Sequence, residues 1–224
     1  MGHLTKKTNI RPNVRMKIGV NDLKEGERMK IQWIAVVGIL VLMMAGCEKK
    51  SVDFGKLDKT PYDTKECIKE LSRGEELDPK EKIDKLVVHK KKRTLYAYRN
   101  GKVVEEFRIS LGKNGDKGNK IQEGDYRTPI GSYSIVRKKC DSRLYRSLMI
   151  SYPSEVDKAR ARAKGVSPGG YITIHGQPKW NADGRGDDYT LSCDWTEGCV
   201  AVPNRAMDKL WRAVENGVPI EIHA

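Results

Sequence analysis

The segment from Ile172 to Asn204 constrains this 224-residue chain more than any other. It opens Ile172-Thr173-Ile174-His175-Gly176, an alternation of β-branched residues that reads as a strand ending on a histidine, with Gly176 releasing the chain into a loop. It closes Trp195-Thr196-Glu197-Gly198-Cys199-Val200-Ala201-Val202-Pro203-Asn204, which sets a cysteine directly after a glycine at a loop-to-element junction. Taken singly, His175 is an ordinary hydrogen-bonded strand-end residue and Cys199 a small hydrophobe. Brought together from separate loops, they form the constellation for thiolate acyl transfer. An imidazole lowers a thiol pKa from its free value of ~8.5 and stores the proton. The N–H groups of Gly198 and Cys199 can then hold the tetrahedral oxyanion, and the carbonyl of Gly176 or a neighbour can fix the imidazole tautomer.

The rest of the chain supplies a scaffold. Strands are predicted at Leu86 to Val88, Thr94 to Tyr98 and Val103 to Leu111, the last two flanking Arg99-Asn100-Gly101-Lys102, a strong hairpin signal. Phe107, Ile109 and Leu111 alternate with Glu106, Arg108 and Ser110, so one face is wet. Residues 112–124, rich in glycine and lysine but without a phosphate-loop ending, read as a plain connector. Further strands are expected at Tyr133 to Val136 and Leu148 to Ser151. A helix over Ser154 to Lys164 takes Ser154 as N-cap with Asp157 three residues on, and Gly165 stops it. A second helix runs from Asn204 to Asn216, with Met207, Leu210, Trp211 and Val214 on one face and Gly217 as its stop. Val218 to Ile222 closes the sheet. The pattern predicts a β-rich α+β domain with two short helices.

Charge, the N-terminus and the cysteines bound the setting. The net charge is +13; the first 46 residues hold 8 Lys/Arg against 3 Asp/Glu, which leaves +8 for the remainder. Such a surface suits an anionic polymer, or is a solvated lysine-rich face. No helix-turn-helix, zinc-finger or RNA-binding signature is present, so nucleic acid is not expected as a partner. Met29-Lys30 precedes an apolar run, Ile31 to Met44, that ends in Ala45-Gly46-Cys47. It resembles a bacterial lipoprotein signal over 29–46, with Cys47 as the lipidated first residue; the alternative is an uncleaved anchor helix. Residues 1–28 form an unpatterned polar prefix, which points to Met29 as the true start. Residues 47–82 read as a charged tether, with a short helix at Thr64 to Leu71. An exported domain keeps Cys67, Cys140, Cys193 and Cys199 in an oxidising compartment. If Cys199 is the nucleophile, at most one disulfide forms among the other three. A Cys193–Cys199 bridge is incompatible with that role, and a zinc site on Cys193, Cys199 and His175 is a weaker rival, because closely spaced ligand pairs are absent.

The Ile-His-Gly strand end followed by Thr196-Glu197-Gly198-Cys199 resembles the L,D-transpeptidase catalytic domain of the YkuD type. The resemblance extends through Gly124-Asp125-Tyr126-Arg127-Thr128-Pro129-Ile130-Gly131 and Ser167-Pro168-Gly169-Gly170-Tyr171, and covers Lys82 to His223. It places the catalytic domain at 83–224. Two positions depart from the pattern: Glu197 stands where many members carry His before the Gly-Cys, and Ala201 where many carry Arg. The first makes His175 the only histidine on the motif. The second removes a cation able to hold a substrate carboxylate. The resemblance implies a peptidoglycan stem tetrapeptide as donor, a Cys199 thioester, release of D-Ala, and transfer to an amine. No metal or organic cofactor is required. Water as acceptor would make the same site a peptidase; a spent site would leave a wall-tethering lipoprotein. The implied location is the cell envelope, lipid-anchored and facing the periplasm or wall, at the outer membrane if the host has one. The loop from Gln177 to Asp194 is expected to shape the cleft, with Lys179 and Arg185 holding stem carboxylates and Trp180 or Trp195 lining the groove.

Overall fold

The computed structural model describes residues 60–74, 77, 80–179 and 191–224. The lipidation candidate Cys47, with the signal and prefix before it, lies outside the described residues, as do Trp180 and Arg185. In chain order the elements are α1 (Lys65–Arg73), β1 (Lys85–His89), β2 (Thr94–Arg99), β3 (Lys102–Arg108), β4 (Gly131–Asp141), β5 (Tyr145–Ile150), α2 (Glu155–Arg162), β6 (Thr173–His175), β7 (Val200–Ala201), α3 (Asn204–Ala213) and β8 (Pro219–His223). Among the described residues there are thus three helices rather than the two assigned to the domain. The third is α1, from the segment read as a tether.

The strands form one mixed sheet in the order β3-β2-β1-β8-β4-β5-β6-β7. The C-terminal strand β8 inserts between β1, which it meets in parallel, and β4, which it meets antiparallel. The eleven residues of β4 serve two partners. Residues 131–134 pair with β8 and the stretch from Ile135 to Asp141 pairs with β5, with a register shift between Ile135 and Arg137.

Local chemistry explains much of this. The β2–β3 turn has Asn100 at φ 51° and Gly101 at φ 73°, the paired positive φ of the hairpin turn that Asn-Gly favours. Helix α2 has the predicted N-terminus, a reciprocal capping box between Ser154 and Asp157. Helix α3 buries Met207, Leu210 and Trp211 against the sheet, each contributing about 2 kcal/mol by removal from water. It ends at Ala213, not at Asn216. Val214 turns to φ −108°, ψ 127° and bridges Ile83, so a partner distant in sequence takes the chain before Gly217 is reached. Ser110, predicted on the wet face, is 1% exposed. The chain leaves β3 at Arg108, and Ser110 exchanges backbone hydrogen bonds of 3.0 and 2.8 Å with Ala201.

Helix α1 is fastened to the sheet by a Cys67–Cys140 disulfide and by Glu70, which accepts from Arg146 on β5. Cys193 and Cys199 lie outside the bridge, so the Cys193–Cys199 disulfide does not form.

Candidate active site

Strand β6 ends on His175, whose side chain is 1% exposed. Its Nδ1 lies 2.7 Å from the carbonyl oxygen of Gly176, to which it donates, so Nε2 remains as the proton acceptor. The Gly176 N–H donates to the Arg146 carbonyl at 3.1 Å, which anchors that turn to β5. The Gln177 N–H donates to Asn204 Oδ1 at 2.8 Å. A side chain at 176 would meet the same oxygen, its Cβ lying 2.5 Å away, so only glycine fits. Trp195 packs its ring edge-on against the imidazole, with centroids 5.6 Å apart.

The Cys199 thiol donates to the Tyr171 carbonyl at 3.7 Å and interacts with the His175 imidazole beside it. It also receives the Thr173 hydroxyl at 3.6 Å and the Thr173 N–H. Burial pushes the thiol pKa up, but the His175 and Thr173 contacts outweigh it and hold the group below the ordinary thiol range. Thr196, 4% exposed, ties the turn: its hydroxyl donates to the Cys199 carbonyl at 2.7 Å and accepts the Gly198 N–H at 3.2 Å. The Gly198 N–H, expected to face an oxyanion, is instead engaged by the Thr196 hydroxyl.

The segment from Gly112 to Ile130 is not a plain connector. It packs under the cysteine turn so closely that a Cβ on Gly198, at φ 133°, would sit 2.8 Å from the Arg127 carbonyl, and one on Gly112 would sit 2.9 Å from Gly198 Cα. Asp125 organises it, accepting from Lys120 Nζ at 2.8 Å and from the N–H groups of Ile121, Gln122 and Arg127 at 2.8, 3.1 and 3.0 Å. Burial raises the Asp125 pKa, and these donors bring it below the usual carboxylate range. Lys90, 2% exposed, donates to the carbonyls of Gly118 and Thr128 at 2.8 and 2.7 Å. Burial lowers its pKa to about 8.

Cys199 and His175 open on a cleft of about 810 Å³ whose lining includes Tyr126, Arg137, Met149, Tyr171, Trp195 and Glu197. Lys179 is not among the lining residues. Its ammonium donates to Thr60 Oγ1 at 2.8 Å, on the arm that leads into α1. Ala201 is fully buried, paired with Ser110 and His175, and does not line the cleft either. His89 and His223 stack on each other with centroids 5.2 Å apart, on β1 and β8. Among the described residues no group of three His, Cys, Asp or Glu side chains can hold a metal, and no helix is long and apolar enough to cross a membrane. Sequence reasoning passed over Thr173, Thr196 and Arg137. The alternation of β6 puts Thr173 on the face of His175, a signal that was there to use.

The family model of the L,D-transpeptidase catalytic domain (YkuD) matches residues 84–222. The chain belongs to that family. It is 29% identical over 133 residues to YafK of Escherichia coli (strain K12), an alignment covering 57% of this chain and 45% of that protein. The chain thus spans less than half the length of the curated relative it matches. Among solved structures it is similar to the helical cell shape determining protein Pgp2 of Campylobacter jejuni, at 28% identity and a TM-score of 0.46, over 62% of this chain and 47% of that one. An L,D-transpeptidase of Mycobacterium smegmatis matches at 14% identity and a TM-score of 0.43, over 62% and 58%.

Proposed function

We propose that the domain is a peptidoglycan L,D-transpeptidase in which Cys199 is the nucleophile and His175 the proton carrier. One observation carries the reading: Cys199 and a buried imidazole whose Nδ1 is already held by Gly176 line the same cleft, and the imidazole helps to hold the thiol below its ordinary pKa range. His175 Nε2 takes the thiol proton, and the Cys199 sulfur attacks the carbonyl of the diamino-acid residue at the third position of the stem. The tetrahedral oxyanion draws on the Cys199 N–H. The bond to D-alanine breaks, the leaving amine takes the proton from His175, and a thioester remains. An acceptor amine then attacks the thioester and gives a proton to His175, and the Cys199 thiolate leaves. No step calls on a metal or organic cofactor.

The anchor belongs to the same reading. Lipidation of Cys47 would hold the domain in the cell envelope, facing the periplasm or wall. In a bacterial host, labelled palmitate should mark the full chain and Cys47→Ala should abolish the mark. An unlabelled but membrane-bound protein would mean an uncleaved anchor.

The function is tested by incubating the domain with disaccharide-free tetrapeptide stems, with and without an added amine acceptor. Release of D-Ala by the wild type, its loss in Cys199→Ser, and a crosslinked product with the amine are expected. D-Ala release with only hydrolysed tripeptide would make the enzyme a peptidase, and no release at all would contradict the assignment.

A further inference from the structure

The register of the sheet lays two straight rows of side chains across the cleft floor. On β4, β5 and β6 the direct partners are Arg137, Met149 and Thr173 in one row, and Lys139, Ser147 and His175 in the next. Directly opposed residues share a face of the sheet, and so do residues two apart on a strand. All six line the cleft that holds Cys199. Lys138, one residue out of phase, points to the other face and donates to the Trp211 carbonyl of α3. The alternation is therefore real at β4.

The two rows differ at their far ends. Lys139 is engaged by Asp141 at 3.0 Å. Arg137 is exposed; its guanidinium meets the sulfur of Met149 at 3.9 Å and has no carboxylate partner among the described residues. Reading outward from the nucleophile, the first row therefore runs Cys199 against Thr173, then the apolar side chain of Met149, then a guanidinium. Strands lie ~4.8 Å apart, so the backbone of Arg137 is roughly 10 Å from that of Thr173 at the thiol end of the row, a span the arginine side chain itself partly closes. That is a fork for a carboxylate, set beyond an apolar step from the atom that attacks.

We infer that Arg137 is the specificity-determining cation of the donor site, its side chain reaching from two strands away to bind a carboxylate of the acyl donor that Cys199 attacks. Resting on the proposed function, this deepens it. The methylene chain of a diamino-dicarboxylic residue crosses Met149 and delivers its distal carboxylate to the guanidinium. Arg137 thereby supplies, from β4, the cation that position 201 does not. Lys179, turned towards Thr60, does not reach the cleft.

The test uses two tetrapeptide stems that differ only at the distal carboxylate of the diamino acid, one free and one amidated, with D-Ala release as the readout. The wild type should turn over the free acid with a kcat/KM at least tenfold higher, mostly through KM. Arg137→Ala should lose that preference and process both stems at the wild-type rate for the amide, which also shows that the variant is folded. Equal turnover of the two stems by the wild type would overturn the inference without needing a variant. So would a preference that survives in Arg137→Ala. Silence of the wild type on both stems would instead contradict the transpeptidase reading, and the inference would fall with it.

Discussion

At the scale of single residues, the proposed chemistry depends on one thiol being unlike an ordinary one. Two effects oppose each other at Cys199: burial favours the neutral thiol, while His175 and the two Thr173 donors favour the thiolate. The thiolate fraction should therefore rise at lower pH than in a free thiol, and the pH at which iodoacetamide labelling of Cys199 is half-maximal should lie below ~8.5. Replacing His175 by alanine removes the main stabilising partner and leaves the burial. The half-maximal pH should then move upward; an unmoved profile would take His175 out of the pair. The same variant should slow acylation by ~10²–10⁴-fold, the usual range for a positioned proton carrier. His89→Ala should stay within a few fold, since His89 stacks on His223 away from the cleft. Equal losses at both histidines would point to stability rather than chemistry.

At the scale of elements, the cysteine turn is held by a loop that local sequence reading treats as filler. Gly198 must be glycine for two reasons, its φ of 133° and the Arg127 carbonyl beneath it. Gly198→Ala should cost about 1–3 kcal/mol in thermal or denaturant unfolding, the range for a strained backbone position. Asp125 holds four donors in the supporting loop, and its folded pKa is depressed. A carboxylate shifted in that direction contributes stability that is present in full above about pH 4, the free aspartate range, and lost as the pH falls through the lower folded value. Asp125→Asn should flatten the acid limb of the stability–pH curve and destabilise the domain at neutral pH by about 1–3 kcal/mol. An unchanged acid limb would mean that another group controls it. Neither role was legible beforehand, and the reason is physical. The demand on Gly112 and Gly198 arises where two segments remote in sequence touch. By contrast, the Asn100-Gly101 turn and the Ser154–Asp157 cap depend on residues within a few positions of each other, and both were readable. The C-terminus of α3 sits between these cases: its apolar stripe was plain, but its stop is set by Ile83 rather than by Gly217.

At the scale of the whole molecule, the folded structure extends upstream of its family match. Residues 84–222 match the family, yet α1 lies upstream and is bonded covalently to β4. The arm before it places the Tyr62 hydroxyl at hydrogen-bonding distance from the Gln177 carbonyl, 3.0 Å, and from the Asn204 side chain, 3.1 Å, next to the His175–Gly176 turn. The 73-residue separation closed by the disulfide corresponds to about 4 kcal/mol of lost unfolded-state entropy. A Cys67→Ser, Cys140→Ser double variant should therefore unfold at markedly lower denaturant concentration, and an unchanged midpoint would show that the helix is held by its other contacts. Whether the molecule is an enzyme at all turns on Cys199. Intact-protein mass after exposure to meropenem, a thiol-acylating mimic of the acyl donor, decides it in one experiment. The account predicts a single covalent adduct on the wild type that maps to Cys199 and is absent from Cys199→Ser. A folded wild-type protein that gains no mass, or whose unreduced peptide map shows Cys199 joined to Cys193, would contradict it.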